Sequence, residues 1–174
     1  MFKDDGLELF NSFAISEYLL LKYKSTLKPR EKSEERSLYY QWNFWISSNL
    51  DGCVGKIMQH SLVLKPEERD TDTLEEEKKN FKEKYSKVLS DHLEMNEWML
   101  GEKVRKMLKF FFELMTADPF LIFLQFSCVD VMLSWCLLVL DSSGLLDEHP
   151  VLKRYYSKIL SRPSFSKCIS PKIK

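Results

Sequence analysis

The sequence has little of what metal sites and disulfide frameworks require. Its 174 residues include only three histidines and four cysteines, and the cysteines are far apart, without a Cys-x-x-Cys pair: Cys53, Cys128, Cys136 and Cys168. Structural zinc sites and disulfide-rich folds need these residues in clusters or at short spacings. We therefore expect no metal ligands, and thiols that stay reduced in the cytoplasm.

An excess of charge of either sign is also missing. The 26 Lys and Arg residues balance 26 Asp and Glu residues, so the formal net charge is zero. This balance argues against a broadly basic nucleic-acid-binding protein and against an acidic disordered chain. With 44% hydrophobic and 30% charged residues, the composition is that of a folded domain, or of one domain with part of another.

The sequence contains no apolar run of about 20 residues, which is the length that a membrane-spanning helix needs. The most apolar stretch, residues 107–140, is interrupted by Glu113, Asp118 and Asp130. The first six residues lack the apolar segment of a signal peptide. We expect neither a signal peptide nor contact with a membrane, and a cytoplasmic location.

Turn and capping residues predict the beginning of the fold. Asp5-Gly6 is a typical hairpin turn, and partial alternation of apolar residues over 7–10 predicts a strand after it. Asn11 and Ser12 can cap a helix, because a short polar side chain accepts hydrogen bonds from the first N–H groups. Helical spacing gives this helix an expected apolar stripe of Ala14, Ile15, Tyr18, Leu19 and Tyr23.

Two further helices are predicted in the first half of the chain. One begins near Glu34, and its apolar stripe consists of Leu38, Trp42, Trp45, Ile46 and Leu50. This stripe is either a core face or a face that lines a ligand. We expect Gly52 and Gly55 to loosen the helix. The other helix fits residues 73–95, with the charged run 75–79 on a solvated face.

Ser127 and Asp130 predict the start of a later, apolar helix. The Ser127 hydroxyl can accept from an N–H of the first turn while the Asp130 carboxylate accepts from the Ser127 N–H, which is a capping box with Asp in place of Glu. These two residues are expected to have a structural role. Gly144 is expected to end that helix and Pro150 to begin the next, whose inward residues are Leu152, Tyr155, Tyr156 and Ile159.

Taken in order, five segments resemble the cytosolic glutathione transferase (glutathione S-transferase) superfamily. The first, Leu7-Glu-Leu-Phe-Asn-Ser-Phe-Ala-Ile-Ser-Glu-Tyr-Leu19, is similar to the glutathione-site motif of that family. The other four are similar to the segment before the buried helix, to the capping box and to the closing helices: Trp98–Lys103, Ser127-x-x-Asp130, Asp147–Tyr156 and Ser161–Phe165.

The resemblance implies a mainly α fold. Residues 1–24 would be the last hairpin and helix of a thioredoxin-like domain, 25–36 a linker, and 37–174 an all-helical glutathione-transferase C-terminal domain. The chain would then be truncated at its N-terminal side. The catalytic Tyr, Ser or Cys of the family would lie before Met1, so no catalytic residue is assigned.

The resemblance also implies a small set of binding residues. Ser12 would bind the γ-glutamyl carboxylate of glutathione with its hydroxyl and N–H, since anions suit helix N-termini. Asn11 stands where the family has Glu, Gln or Asp, and can form a hydrogen bond without supplying charge. Plain helix capping is the alternative role for both residues. Tyr39, Trp42 and Trp45 would lie on the helix that walls the acceptor-substrate pocket.

Residues 104–125 do not fit the family pattern. Of these 22 residues 14 are apolar, five of them Phe, and deleting the segment restores the pattern. Val104-Arg105 is compatible with the codons GTAAGA, a 5′ splice-site sequence, and Gln125 with CAG, a 3′ end. The segment is therefore either a translated retained intron or a real inserted helix.

Two functions follow as expectations. The first is the activity of the lineage, conjugation of glutathione to small electrophiles, in a chain that lacks the thiolate-activating residue. Glutathione would be a co-substrate, no other cofactor is implied, and a second copy could form a homodimer. The alternative is a non-catalytic helical interaction module of the translation-factor or synthetase-complex type.

Overall fold

A β-hairpin opens the chain, as predicted. In the computed structural model, strands β1 (Phe2–Asp4) and β2 (Leu7–Leu9) pair antiparallel with Phe2 opposite Leu9. The turn residues Asp5 and Gly6 both have positive φ angles, 44° and 83°, which is the backbone of the tightest hairpin turn. The structure describes residues 1–101 and 126–168, without the side chains of residues 166 and 168.

Helices make up most of the remaining described chain. They are α1 (Ser12–Lys22), α2 (Glu34–Trp45), α3 (Asp51–Met58), α4 (Thr71–Asn80), α5 (Ser86–Met95), α6 (Cys128–Ser142), α7 (Pro150–Leu160) and α8 (Pro163–Cys168). Wide helical turns continue α2 into α3, extend α3 and join α4 to α5: Ile46–Leu50, Gln59–Val63 and Phe81–Tyr85. Short 3₁₀ turns lie at Pro66–Glu68 and Leu145–Glu148.

The buried face of α1 differs from the predicted apolar stripe. Its buried side chains are Phe13 and Leu20, whereas Ala14 and Tyr23 are exposed. Spacing does not define one face here, because apolar residues lie around the whole helix, including the run Leu-Leu-Leu at 19–21. Contact of the Phe13 ring with aromatic rings of α2 selects the face instead.

The prediction that Gly52 and Gly55 loosen the second helix is wrong. Both residues lie inside α3, which continues the helix from α2. Each helical Gly costs about 1 kcal/mol relative to Ala. Burial of Cys53, Val54 and Ile57 from the same short helix offsets that cost, since a fully buried Val or Ile contributes about 1.5–3 kcal/mol.

Gly55→Ala is accordingly expected to raise the free energy of unfolding by about 0.5–1 kcal/mol. A Cβ at this position meets nothing within 4 Å, so the gain in helix propensity has no steric cost. Gly144 and Gly101 supply the matched contrast, because their φ angles are 76° and 81° and a Cβ on Gly101 would lie 2.8 Å from Asn96 Oδ1. Urea denaturation should rank the Ala variants 55, 144, 101 from stabilised to most destabilised, and a destabilised Gly55→Ala would contradict the account.

The charged run 75–79 is not a uniformly solvated face. Glu77 is buried, and its carboxylate lies 2.6 Å from Lys56 Nζ on α3. The Glu77 carbonyl accepts a hydrogen bond from the Cys53 thiol at 3.3 Å. Lys78 and Glu75 form an exposed ion pair within the run, at 2.7 Å. The run therefore supplies two contacts that hold α4 to α3, both made by Glu77, as well as surface charge.

The core centres on α6, which lies against α3 and α7. Asp130, in its first turn, is completely buried and accepts four hydrogen bonds. Two are from the N–H (2.7 Å) and hydroxyl (2.8 Å) of Ser127, one is from the Met99 N–H (2.9 Å), and one is from the Tyr155 hydroxyl (2.6 Å). Ser127 and Asp130 thus form the predicted capping box. The bonds from Tyr155 and Met99 tie the start of α6 to α7 and to the segment after α5.

The anomalous segment 104–125 lies outside the described residues. The residues that flank it contact each other: the rings of Trp98 and Phe126 meet edge to face, with their centroids 5.1 Å apart. The Arg162 guanidinium lies 3.9 Å from the Phe126 ring centroid. None of the described helices is both long enough and apolar enough to cross a membrane.

Candidate functional site

The start of α1 is an exposed helix N-terminus shaped by Asn11. The Asn11 Oδ1 atom accepts from the N–H groups of Phe13 (3.0 Å) and Ala14 (3.2 Å), and its backbone has a φ of 85°. Ser12 is exposed beside it. Because Asn11 already satisfies two of the first N–H groups, an arriving anion would meet the hydroxyl and the N–H of Ser12.

Asn11 has the capping role that we gave as the alternative to glutathione contact. An amide oxygen has two lone pairs, and both hydrogen bonds from α1 are directed to it. In this conformation the side chain can offer glutathione its amide nitrogen, which is a donor. Asn11 is therefore suited to hold the helix start in shape, and Ser12 is the residue suited to bind.

Tyr39 connects α2 to α1 and does not point to solvent. It is completely buried, and its hydroxyl donates to Glu17 Oε1 at 2.5 Å. Burial, and next the bond to Glu17, raise the pKa of Tyr39 far above its usual value. The other oxygen of Glu17 forms an ion pair with Lys28 Nζ. Tyr39 therefore stays protonated and serves as a hydrogen-bond donor between two helices.

Trp42 packs against α5, and Trp45 packs against the wide turn that precedes α5. Their rings meet edge to face at 5.7 Å; Trp42 lies 4.5 Å from the His92 ring and Trp45 5.9 Å from the Tyr85 ring. Trp42 is buried and Trp45 half-buried. The structure thus does not gather the three predicted pocket residues into one wall, because Tyr39 contacts α1, whereas Trp42 contacts α5 and Trp45 the turn before it.

Sequence reasoning missed Glu17 and the aromatic contacts of Phe13. The Phe13 ring lies 5.4 Å from that of Phe44, 6.2 Å from Tyr39 and 6.4 Å from Tyr40. The sequence does single out Glu17, because it is the only acidic residue of the apolar helix α1. A single carboxylate on such a helix needs a partner.

The Tyr18 hydroxyl has a carboxylate as its partner, and the Cys53 and Cys128 thiols are buried. A thiolate is stabilised by a donor that points at sulfur, or by positive charge close to it. The Tyr18 hydroxyl instead donates to Asp4 at 2.9 Å, and this bond raises the pKa of Tyr18. Burial raises the pKa of Cys128, and it raises the pKa of Cys53 to about 12. These groups stay protonated at neutral pH.

Within the described ranges, no group of three or more His, Cys, Asp or Glu side chains could hold a metal ion. The three cysteines whose side chains are described, Cys53, Cys128 and Cys136, are buried free thiols.

Comparison with known proteins gives a match to one family model and to solved structures of similar fold. A family model described as the C-terminal domain of glutathione S-transferase matches residues 79–170. A search of curated protein sequences gave no match.

Among solved structures, glutathione S-transferase-I bound with lactoylglutathione is similar with a TM-score of 0.73 and 21% identity, over 95% of this chain and 70% of that one. Glutathione transferase F7 from Populus trichocarpa has a TM-score of 0.71 and 20% identity, over 95% and 70% of the two chains. Ure2p5 from Phanerochaete chrysosporium, cocrystallized with 1-(S-glutathionyl)-2,4-dinitrobenzene, has a TM-score of 0.70 and 17% identity, over 94% and 68%. These similarities show a shared fold.

Proposed function

The chain belongs to the glutathione S-transferase family, and we propose that its role in conjugating glutathione to small electrophiles is to hold glutathione. The observation that carries this proposal is the exposed start of α1. Asn11 caps the helix there, so that the hydroxyl and N–H of Ser12 are available to bind an anion. A γ-glutamyl carboxylate is such an anion. Two of the similar structures contain S-substituted glutathiones, which supports glutathione as the ligand.

The same proposal places the group that activates the thiol outside the described residues. In conjugation the glutathione thiolate attacks an electrophilic carbon, forms a C–S bond and displaces the leaving group, while the thiol proton passes to a base or to water. The hydroxyls of Tyr18 and Tyr39 donate to the carboxylates of Asp4 and Glu17, so neither donates its proton to the sulfur of glutathione. We infer that this chain alone binds glutathione without accelerating conjugation.

Ser12→Ala tests the binding role. Loss of a hydrogen bond to a carboxylate is expected to weaken glutathione binding about tenfold, since such bonds contribute roughly 1.5–3 kcal/mol. Isothermal titration of the chain with glutathione measures this effect. Ser37→Ala is the matched control, because Ser37 is exposed in the first turns of α2 and should leave the affinity unchanged. Equal affinities of wild type and Ser12→Ala would contradict the proposal.

Exposed apolar side chains on α2 and α5 favour the second candidate, an interaction module. Leu38 is 42% exposed, Val88 41% and Met95 61%, on the two helices that the contact of Trp42 with His92 joins. Such a surface suits another protein or a second copy of this chain in a homodimer. A chain that self-associates through these residues and gives no heat with glutathione would favour the module over the enzyme.

The wider setting is part of the same proposal. We assign the chain to the cytoplasm, because buried free thiols at Cys53, Cys128 and Cys136 suit a reducing compartment. We also propose that the chain divides into part of a thioredoxin-like domain (1–24), a linker (25–36) and a helical domain (37–174).

A further inference from the structure

Contacts from outside its own helix hold α1 at two points along its length. Near its start, the buried Phe13 ring packs against α2, with the Phe44 ring 5.4 Å away. Further along, the Glu17 carboxylate accepts from the Tyr39 hydroxyl of α2 at 2.5 Å and pairs with Lys28 of the connecting segment. We call these five residues (Phe13, Glu17, Lys28, Tyr39 and Phe44) the α1 clamp.

Further contacts of α1 are made to the hairpin, where Asp4 accepts from Tyr18 at 2.9 Å and pairs with Lys22, and to the start of α6. The Ser16 hydroxyl lies 3.7 Å from the Met132 sulfur. The Cys128 N–H donates to the Leu27 carbonyl at 2.9 Å, which fixes the segment that carries Lys28. The clamp is therefore attached to the helical core at both α2 and α6, and it does not depend on the hairpin.

We propose that the α1 clamp positions Ser12 for glutathione, so that Glu17 and Tyr39 are positioning residues for a ligand that they do not touch. This inference rests on the proposed function. Phe13 follows Ser12 directly. Glu17 lies five residues after Ser12, about 7.5 Å from it along the helix axis at 1.5 Å per residue. Two fixed points on one short helix set both its place and its tilt, and therefore the direction of the Ser12 hydroxyl and N–H.

Coulomb repulsion and the positioning of Ser12 predict opposite changes in the affinity for glutathione when the Glu17 carboxylate is removed. Glutathione presents a carboxylate to the start of α1, so removing a nearby negative charge should strengthen binding if Coulomb interaction alone decides. Loss of the clamp should weaken the binding of glutathione, because a small displacement of the Ser12 donors weakens their hydrogen bonds to the carboxylate. The sign of the change in affinity thus separates the two explanations. Asn11 caps α1 independently, so the helix itself should persist in the variant.

The test is a set of glutathione titrations of the full chain by calorimetry. We expect Glu17→Gln and Tyr39→Phe each to weaken binding about tenfold. The double variant Glu17→Gln with Ser12→Ala should lose less affinity than the two single losses combined, because the part of the Glu17 effect that acts through the Ser12 hydroxyl is already lost in Ser12→Ala. Glu8→Gln is the control, since Glu8 pairs with Lys3 on the exposed hairpin and should leave the affinity unchanged.

Unchanged or tighter binding by Glu17→Gln, or additive losses in the double variant, would overturn the inference. If wild type does not bind glutathione at all, the proposed function fails, and the clamp is judged by the amide NMR signal of Ser12. A shift of that signal in Glu17→Gln and Tyr39→Phe, without a shift in Glu8→Gln, would support the clamp. An unmoved Ser12 signal would overturn it.

Discussion

Asp130→Ala is expected to lower the free energy of unfolding by about 4 kcal/mol, since removing one partner of a buried charged network typically costs roughly 3–5 kcal/mol. The substitution leaves the N–H groups of Met99 and Ser127 and the hydroxyls of Ser127 and Tyr155 without their acceptor in the core. A buried donor without a partner costs about 1–3 kcal/mol. Complete burial raises the pKa of Asp130, while the four donors favour its charged form.

Chemical denaturation of the variant and of two controls measures the effect. Tyr155→Phe removes one of the four donors and should cost about 1 kcal/mol. Asp91→Ala removes an exposed carboxylate that pairs with Lys87 at 3.2 Å, and should change stability by less than about 0.5 kcal/mol. A loss below about 1 kcal/mol for Asp130→Ala would show that the network does not hold α6 in place.

Phe81→Ala is expected to cost about 3–4 kcal/mol, within the range for removing a buried aromatic ring. Phe81 is completely buried where α4 passes into α5. Its ring meets that of His149 edge to face, with the centroids 5.3 Å apart. Burial lowers the pKa of His149, which agrees with a contact from which water is excluded. The substitution would leave a cavity between the α4–α5 unit and the start of α7.

Two control substitutions separate the cost of a cavity at Phe81 from the cost of any substitution in this part of the chain. Phe81→Leu keeps most of the volume and should cost less than about 1.5 kcal/mol. Val88→Ala, at a position 41% exposed, should cost less than about 0.5 kcal/mol. Equal losses for Phe81→Ala and Val88→Ala in thermal or chemical denaturation would contradict the packing described.

The sequence predicts the features that depend on local chemistry. Asp5-Gly6 forms the hairpin turn, Asn11 caps α1, Ser127 and Asp130 form the capping box, and α7 begins at Pro150. Each is decided by the backbone preference or hydrogen-bonding capacity of one or two neighbouring residues. Four of the five segments that resemble the family lie within residues 79–170, which the family model matches.

Features that depend on contacts between distant parts of the chain could not be predicted in the same way. Gly52 and Gly55 stay helical because α3 is buried against other helices, and tertiary packing overrides their low propensity. The pairing of Glu17 with Tyr39 joins residues 22 positions apart, which spacing within one helix does not reveal. For the same reason, the sequence does not reveal that Tyr39 contacts α1, whereas Trp42 contacts α5 and Trp45 the turn before it.

The central claim, that this chain holds glutathione without activating it, is tested most directly by one paired measurement. Purified chain is titrated with glutathione by calorimetry, and the same samples are assayed at pH 7 for conjugation to 1-chloro-2,4-dinitrobenzene. We predict saturable binding of one glutathione per chain, lost or weakened about tenfold in Ser12→Ala, and a conjugation rate equal to that of glutathione in buffer. Absence of binding, or a conjugation rate well above the buffer rate, would contradict the account.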